Sequence, residues 1–462
     1  MVYDHKNQFR AVIVRGKAQS DLDDLLPFYA ETINELDGER IDLFREKFNQ
    51  KLLTKLPSST KIKTLDNHRT EIAGKLFGLF YESDEFIRIS ERGKKILETN
   101  DQPAFFKELC TKYQFPSGMN KIHTIKEMIE RKIKIKQFSF FLKFLLLLSE
   151  EKIIINKKQA GYYIFNSLDV LQNIANPLEV VEQVKNDLKD GISREVNTPG
   201  KASSYDMQHV TEQLKLLELA NVIFTNSRNE LFLNFREREY ILKVSENWSD
   251  PPEFDFSKYD LDSPEQIKKS QLDWDYHFSK RSQFNYSLFN TSRSSLQRDP
   301  DEDTKSFRQI IEGQELSKIE LGNDGEEYVY EYEVKRLTKI SSHYRELVEN
   351  RSSIKKIGYD IKSIIGTGIE PEKDRYIEVK STKRVTKVRE TNFNDQINMT
   401  GYEWRAAKKY GSDFYIYRVY FTSEGPKLFV INDPYQKKKD QTLEAIALDY
   451  RVRFTDKAGT FF

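Results

Sequence analysis

Two short segments, GYDIKS at 358–363 and YIEVKS at 376–381, decide the fold of the C-terminal part of the chain. Both alternate polar and apolar residues, which predicts two neighbouring strands of a hairpin. Positions i and i+2 of a strand share a face, so Glu378 and Lys380 point the same way. Asp360 lies in the first strand, 18 residues before Glu378. The sequence therefore predicts that two carboxylates and an amine converge.

Such a trio suits metal-assisted hydrolysis of a phosphodiester. Carboxylate oxygens bind Mg²⁺, which keeps several waters and also takes phosphate oxygens. The metal polarises the scissile phosphate and lowers the pKa of a bound water. We expect Asp360 and Glu378 to bind Mg²⁺, and Lys380 to orient that water or to offset charge on the phosphorus. The alternative is a cross-strand ion pair on a solvated face, which uses the same residue types.

A helix start is predicted upstream, in the segment GNDGEEYV at 322–329. A glutamate in its first turn can reach the same metal. Glu326 is the first candidate because Val329 and Tyr330 lie on its side of the helix, and Glu327 is the second. Acidic residues at a helix start also match the helix dipole without any catalytic role, so that interpretation stays open for both.

The N-terminal part changes its hydrophobic period in an informative order. Ile72, Leu76 and Leu79 share one helical face, and two short strands follow around a polar turn at 82–85. Ser90 then caps a further helix through Leu97. Helix, strand, turn and strand is the outline of a winged helix.

The same order recurs downstream. A helix is predicted over 206–219, followed by strands at 222–224 and 231–233 around a polar turn. Residues 138–165 repeat the outline more loosely, as an apolar helix with strands at 153–155 and 162–165. We interpret this third segment as packing support for the two winged helices.

Composition excludes several classes of protein. Lys and Arg number 74 against 73 Asp and Glu, so the chain is not a globally basic nucleic-acid coat. The single cysteine, Cys110, excludes an intramolecular disulfide, a cysteine-based zinc site and an iron-sulfur cluster. One unpaired cysteine suits the reducing cytoplasm.

Membrane insertion and nucleotide chemistry find no support in the sequence. Residues 1–15 lack the form of a signal peptide. The most apolar window, 138–148, is interrupted by Lys143 and is too short for a bilayer span, so it predicts a buried helix. No glycine-rich phosphate loop is present, so we expect no nucleotide cofactor.

Several motifs resemble the recognition region of BpuJI-like restriction endonucleases. They are TLDNHRTEIAGKLFGLFY (64–81), QFR (8–10), RGKA (15–18), FPSGM (115–119) and PGK (199–201) before Ser204 and Tyr205. The resemblance implies winged-helix subdomains that recognise a specific duplex sequence and are tethered to a cleavage module.

The C-terminal hairpin resembles the PD-(D/E)xK nuclease core, and in particular its Holliday-junction-resolvase-like branch. That core has the element order αβββαβ. Asp360, Glu378 and Lys380 match its D, E and K, whereas Tyr359 stands where the family has proline. The resemblance implies a Mg²⁺-dependent nuclease domain of α/β class.

The first winged helix carries candidate base-reading residues near its start. These are Asn67, His68 and Arg69, because asparagine can bond adenine and arginine can bond guanine in the major groove. Arg69 lies nearer the apolar face, so a structural ion pair is the alternative for it.

The second helix and the chain start supply further candidates. On the helix, Tyr205 and Gln208 face outward with His209 at the margin, and Lys201 and Ser204 suit phosphate contacts. A solvated polar face is the competing interpretation. Near the start of the chain, candidates for phosphate or minor-groove contacts are Arg10, Arg15 and Lys17, with ordinary surface charges as the alternative.

The sequence thus predicts a multidomain protein with a mainly α-helical recognition region and an α/β nuclease domain. The expected boundaries are winged-helix subdomains at 1–130 and 131–280, a linker at 281–310 and a nuclease domain at 311–462. We expect a bacterial, cytoplasmic type II restriction endonuclease that binds double-stranded DNA.

Because one metal centre cuts one strand, we also expect a homodimer, at least of catalytic domains. The alternatives are a non-catalytic winged-helix regulator and a repair nuclease that recognises branched DNA.

Overall fold

The computed structural model divides into two compact units, Met1–Ser317 and Lys318–Phe462. The residues that it describes are 7–13, 19–57, 59–196, 201–280, 286–297, 324–354, 356–369, 371–391, 393–446 and 451–461. The N-terminal unit is rich in helices, and the C-terminal unit is built on a mixed sheet, so the chain is multidomain as predicted.

Helices make up most of the N-terminal unit. They are α1 (Gln19–Glu35), α2 (Ile41–Leu52), α3 (Ile62–Asn67), α4 (Glu91–Thr99), α5 (Gln102–Lys112), α6 (Ile122–Glu130), α7 (Gln137–Glu150), α8 (Lys157–Ala160), α9 (Leu168–Leu171), α10 (Pro177–Lys189), α11 (Lys201–Leu219), α12 (Arg238–Glu246), α13 (Pro264–Asp275), α14 (Tyr286–Phe289) and α15 (Arg293–Leu296). Wider π-helical turns occupy His68–Leu76, Gly161–Phe165 and Tyr276–Lys280. The described strands are β1 (Phe80–Ser83), β2 (Phe86–Ile89), β3 (Ile223–Thr225) and β4 (Leu231–Leu233).

The first predicted helix and hairpin are present. The helix α3 runs on into the π-helical stretch His68–Leu76, and β1 and β2 pair antiparallel with Phe80 opposite Ile89. Ser90 caps α4, since its side chain accepts a hydrogen bond from the amide of Gly93. The order helix, hairpin, helix is therefore as expected, and the winged-helix assignment itself stays a prediction.

The second hairpin follows α11, where β3 pairs with β4. The third, looser unit differs from its prediction. The helix α7 is present and mostly buried, but neither predicted strand forms: residues 153–155 lie outside any strand, and residues 162–165 form a π-helical turn. Asn156 and Gln159 form a capping box that starts the helix α8, and this helix continues into that turn. Local capping thus overrides the strand preference of the apolar run.

Both hairpin regions contribute to one hydrophobic core, which extends from Phe9 to Phe289. Part of the predicted linker is packed against this unit, because Thr291 and Leu296 are fully buried. The ammonium of Lys107, itself buried, donates to the carbonyl of Phe289 at 3.1 Å and to the Thr291 hydroxyl at 3.0 Å. The rest of the predicted linker, 281–285 and 298–310, lies outside the described residues.

No helix among the described residues combines the length and the apolar character that crossing a bilayer requires.

The C-terminal unit contains a six-stranded mixed sheet with strand order β13-β10-β9-β7-β6-β5 and a smaller antiparallel sheet β11-β12-β8. Its helices are α16 (Asp324–Thr338), α17 (Gly401–Tyr410) and α18 (Pro434–Lys439). Its strands are β5 (Glu349–Asn350), β6 (Ile361–Ile364), β7 (Asp374–Lys383), β8 (Asn394–Asn398), β9 (Phe414–Thr422), β10 (Gly425–Asn432), β11 (Leu443–Ile446), β12 (Arg451–Thr455) and β13 (Thr460–Phe461). Thr400 and Glu403 form a capping box at the start of α17.

The large sheet is antiparallel except where β7 and β9 run parallel, because α17 lies between them in the chain. In chain order, α16 is followed by β5, β6 and β7 of the large sheet, by β8 of the smaller sheet, and then by α17 and β9. A short 3₁₀ helix, Ser342–Leu347, follows α16 and precedes the edge strand β5.

Candidate active site

The central strand β7 separates two environments, because its side chains alternate between the two faces of the sheet. On one face, α16 packs so closely that a Cβ added at Gly325 would lie 2.7 Å from Ser381. On the other face, Lys380 reaches Glu403 in α17. The predicted catalytic side chains Glu378 and Lys380 therefore lie between the sheet and α17.

The structure brings the predicted trio together at this face. The Asp360 carboxylate accepts a hydrogen bond from the backbone amide of Val379, with Oδ2 at 2.8 Å from the nitrogen. Glu378 is only 4% exposed, and its Oε1 lies 2.7 Å from Nζ of Lys380. This hydrogen bond holds Asp360 against β7 beside Glu378, because Val379 directly follows Glu378 in that strand.

Two glycines allow helices to approach the trio closely. Gly358 has a φ of +85°, and a Cβ there would lie 2.6 Å from the carbonyl oxygen of Tyr402 in α17. Gly325 lies at the start of α16, and a Cβ there would collide with Ser381 in β7. Larger residues at these positions would push α17 or α16 away from Asp360. Both glycines lie in the segments singled out from the sequence, which gave no signal of this role.

Glu326 and Glu327, the two candidates in the first turn of α16, differ in their surroundings. Glu326 is half-buried, and its charge acts on Asp360, where it raises the pKa of that carboxyl. Glu327 is exposed. Of the two, the structure places Glu326 toward the trio.

A further glutamate, Glu403, was not among the predicted site residues. It joins Asp360, Glu378, Lys380 and Glu326 in one charged cluster. Its Oε2 lies 2.9 Å from Nζ of Lys380. In the sequence it appeared only as the third residue of a helix with a capping threonine, and that pattern carries no information about a lysine on a distant strand. The pairing follows from α17 packing over β7.

The acids of the cluster outnumber its cations, and their pKa values show it. Burial raises the pKa of Asp360 to about 6, with the charges of Glu326 and Glu403 acting in the same direction. Burial also raises the pKa of Glu378 well above its usual value, and the opposing effect of Lys380 is too small to prevent it. Burial alone would lower the pKa of Lys380, but Glu378 and Glu403 raise it. A divalent cation would relieve this excess of negative charge.

The carboxylate oxygens of Asp360 and Glu378 are donors of the kind that Mg²⁺ binds, but the described side chains around them do not form a complete set of metal ligands. Among the described residues, no group of three His, Cys, Asp or Glu side chains is arranged so that it could hold a metal ion. Each carboxylate of the pair, however, has one oxygen engaged, Oδ2 of Asp360 by Val379 and Oε1 of Glu378 by Lys380. Their second oxygens, Oδ1 and Oε2, are hard ligands of the type that Mg²⁺ binds.

Three of the predicted DNA-contacting side chains are buried and make internal contacts. His68 is 1% exposed, with Nδ1 hydrogen-bonded to the hydroxyl of Tyr29. Arg69 is 8% exposed and forms an ion pair with Asp66 at 2.8 Å, which matches the alternative considered for it. His209 is 5% exposed and accepts a hydrogen bond from the amide of Ile13 at 3.3 Å. In this conformation these side chains support the fold.

The remaining candidates with described side chains lie nearer the surface. Asn67 is exposed at the junction of α3 and the π-helical stretch, and Gln208 is half-buried on α11. Arg10 is exposed and pairs with Asp206 at 3.5 Å. Two predicted contacts, Arg15 and Lys17, lie outside the described residues. The backbone of Lys201, Ser204 and Tyr205 forms the start of α11, but their side chains lie outside the described part.

Two family models match different parts of the chain, and the boundary between the two compact units, after Ser317, falls between the matched parts. Residues 3–275 match the family described as "Restriction endonuclease BpuJI - N terminal". Residues 325–431 match the family described as "Protein NO VEIN, C-terminal". No curated protein matches the chain.

One solved structure is similar to the N-terminal part. It is described as the "Crystal structure of pyrene- and phenanthrene-modified DNA in complex with the BpuJ1 endonuclease binding domain". The sequences are 45% identical, and the match covers 60% of this chain and 100% of that chain, with a TM-score of 0.58.

Proposed function

The chain belongs to the restriction endonuclease family defined by the BpuJI N-terminal region, and from this premise we propose that it is a type II restriction endonuclease. Its N-terminal unit binds a short, specific sequence in double-stranded DNA. Its C-terminal unit hydrolyses phosphodiester bonds with Mg²⁺. The 45% identity to a domain solved in complex with DNA supports the first half of this proposal.

One observation carries the catalytic half, namely the convergence of Asp360, Glu378 and Lys380 in a cluster with excess negative charge. Perturbed carboxyl pKa values that arise from burial together with specific charged neighbours are typical of functional sites. Counted over the large sheet alone, the order α16, three strands, α17 and β9 agrees with the αβββαβ core of PD-(D/E)xK nucleases, with β8 of the smaller sheet inserted before α17.

Each residue of the cluster has a separate task in hydrolysis. Asp360 and Glu378 would hold the cation, and Glu326 adds negative charge beside Asp360 at the start of α16. When bound, Mg²⁺ polarises the scissile phosphate and lowers the pKa of a bound water. Lys380 orients the attacking water and offsets the negative charge that develops on the phosphate oxygens.

Recognition is assigned to side chains that can reach a duplex. Asn67 is the first candidate, since it is exposed and an asparagine amide can pair with adenine. Arg69 is held by Asp66, and His68 is hydrogen-bonded to Tyr29, so they position the helix that carries Asn67. Because one metal centre cuts one strand, two C-terminal units act together on a duplex, as in a homodimer.

Digestion of a plasmid of known sequence in the presence of Mg²⁺, followed by mapping of the ends, tests the proposal. Discrete fragments with a common sequence near each cut support a restriction endonuclease. A uniform smear contradicts sequence recognition and favours a structure-directed nuclease. Tight DNA binding without cleavage favours a non-catalytic regulator.

Once the site is mapped, Asn67→Ala tests its recognition. We expect the variant to bind the mapped site more weakly by about 1–3 kcal/mol, the usual value of a bidentate base contact. Binding to duplexes of random sequence should change far less, because phosphate contacts dominate there. Fluorescence anisotropy at one fixed salt concentration measures both affinities. Equal losses on both duplexes would exclude Asn67 as a base reader.

A further inference from the structure

Lys380 is held between two glutamates that come from different elements. Its Nζ lies 2.7 Å from Oε1 of Glu378 on its own strand and 2.9 Å from Oε2 of Glu403 on α17. The Glu403 side chain is 14% exposed, and that of Lys380 is 22% exposed. Both contacts are therefore largely shielded from water, which strengthens them relative to surface ion pairs.

Glu403 is itself fixed in place by the start of its helix. Its Oε2 accepts a hydrogen bond from the amide of Thr400 at 3.0 Å, and its own amide donates to the Thr400 hydroxyl at 3.3 Å. The N-terminal end of a helix also favours a negative charge at this position. The close packing of Gly358 against Tyr402 holds this end of the helix beside the chain that leads to Asp360. The carboxylate thus has a defined position before any ligand binds.

The other charged groups at this face do not replace Glu403. Arg418 lies opposite Lys380 in the parallel register of β7 and β9, but its Nε donates to Asp395 at 2.8 Å. The remaining neighbours, Asp360 and Glu326, are acids assigned to the metal side of the cluster. Glu403 is therefore the acid that can hold Lys380 independently of the metal ligands.

We propose that Glu403 is a positioning residue that keeps the Lys380 ammonium at the reacting phosphate. The inference rests on the proposed nuclease function and deepens it. A cation held by Glu378 would share its carboxylate and would weaken its hold on Lys380. Glu403 then supplies the second anchor, without which the flexible lysine side chain would leave the position from which it orients water.

Two variants separate this role from helix capping. Glu403→Gln keeps a side-chain oxygen that accepts from Thr400, because glutamine also completes a capping box, but it removes the charge that holds Lys380. Thr400→Ala removes the hydroxyl that accepts from the Glu403 amide, but it keeps the backbone amide that donates to Oε2 of Glu403 and leaves the Glu403 charge in place. The full chain is tested in Mg²⁺-dependent cleavage of the mapped site, with DNA affinity and the thermal unfolding midpoint measured in parallel.

We expect Glu403→Gln to lower kcat about tenfold or more, with KM, DNA affinity and unfolding midpoint close to those of the unmodified chain. Thr400→Ala should lower the unfolding midpoint and leave kcat unchanged. Full activity of Glu403→Gln, while Lys380→Ala is inactive, overturns the positioning role and leaves the nuclease proposal intact. Equal losses of kcat in both variants would assign Glu403 to capping alone. If the unmodified chain does not cleave DNA, the nuclease proposal and this inference fall together.

Discussion

The two faces of the C-terminal sheet each bury a glutamate, and the pKa values of the two carboxyls move in opposite directions. Burial raises the pKa of both. For Glu333 on α16, however, Arg336 and Arg375 and a hydrogen bond from Ser363 outweigh burial and lower it. For Glu378 on β7, the acids Asp360 and Glu403 add to the effect of burial, and the pKa rises.

The difference lies in how completely each carboxylate is neutralised. Glu333 is fully buried, and Arg336 contacts it through two nitrogens at 2.9 and 2.6 Å. Ser363 and Tyr417 also donate to it, at 2.6 and 2.8 Å. The cluster around Glu378 has one lysine for several acids. A neutralised buried acid supports the fold, whereas burial of several acids with too few cations is the arrangement expected where a metal ion binds.

The largest effect is expected for Lys380→Ala, which removes the ammonium group from the face of the sheet that carries Glu378. Without an ammonium to orient water and offset charge, cleavage should fall by on the order of 10³-fold, while DNA affinity stays the same. Arg336→Ala on the opposite face is the matched control, since it should reduce stability more than activity. Single-turnover cleavage and fluorescence anisotropy distinguish the two. Comparable loss of activity in both variants would remove the functional distinction between the faces.

The opposite face, where Glu333 is neutralised, is tested by Glu333→Gln, which leaves Arg336 and Arg375 near a neutral side chain. We expect a loss of about 3 kcal/mol in the free energy of unfolding at pH 7, because one partner of a buried ion pair is removed. A lowered folded-state pKa stabilises above the ordinary value of 4.5, and this stabilisation disappears as pH falls through the folded-state value. Urea unfolding at pH 7 and below pH 4.5 should therefore show the difference between variant and parent shrinking. A constant difference would contradict this account.

Asp360→Asn should have the opposite sign. Because the folded-state pKa is about 6 against an ordinary value of 3.8, the ionised carboxylate destabilises the folded state above pH 6 in the absence of metal. We expect the variant to be about 3 kcal/mol more stable than its parent at pH 8 in chelator, with the gain disappearing between pH 6 and pH 4. Urea unfolding measures this, and addition of Mg²⁺ should stabilise the parent alone. Destabilisation at pH 8 would show that the acids are already compensated.

Local patterns predicted much of the fold. The alternation in YIEVKS placed β7, and the serine at position 90 and the threonine at position 400 marked two helix starts, because capping depends on neighbouring residues only. The strand expected at 162–165 is helical, since an apolar run of that length suits either structure and the preceding capping box decided it.

The candidate site was predictable only where it depended on a single strand or turn. Glu378 and Lys380 share a face by the geometry of β7 alone, whereas Glu403 joins them through the packing of α17. The base-reading role expected for His68 and Arg69 assumed an ordinary helix, on which Arg69 already lies nearer the apolar face. The chain winds there as a π-helix, in which the amide of Phe77 bonds the carbonyl of Ile72 five residues earlier. Wider turns shift which residues face inward, and no single residue in the sequence announces them.

The smallest effect separates the two adjacent glutamates at the start of α16. Glu326→Gln removes a negative charge that acts on Asp360, so the Mg²⁺ concentration for half-maximal cleavage should rise about tenfold, roughly 1.4 kcal/mol. Glu327→Gln alters the same charge one residue further on, at an exposed position, and should leave that concentration unchanged. Cleavage titrated with Mg²⁺ compares them directly. Both variants change the net charge and the helix start equally, so a shared effect would point to the helix dipole. An effect of Glu326 alone would show that the group of acids around Asp360 includes a residue of α16.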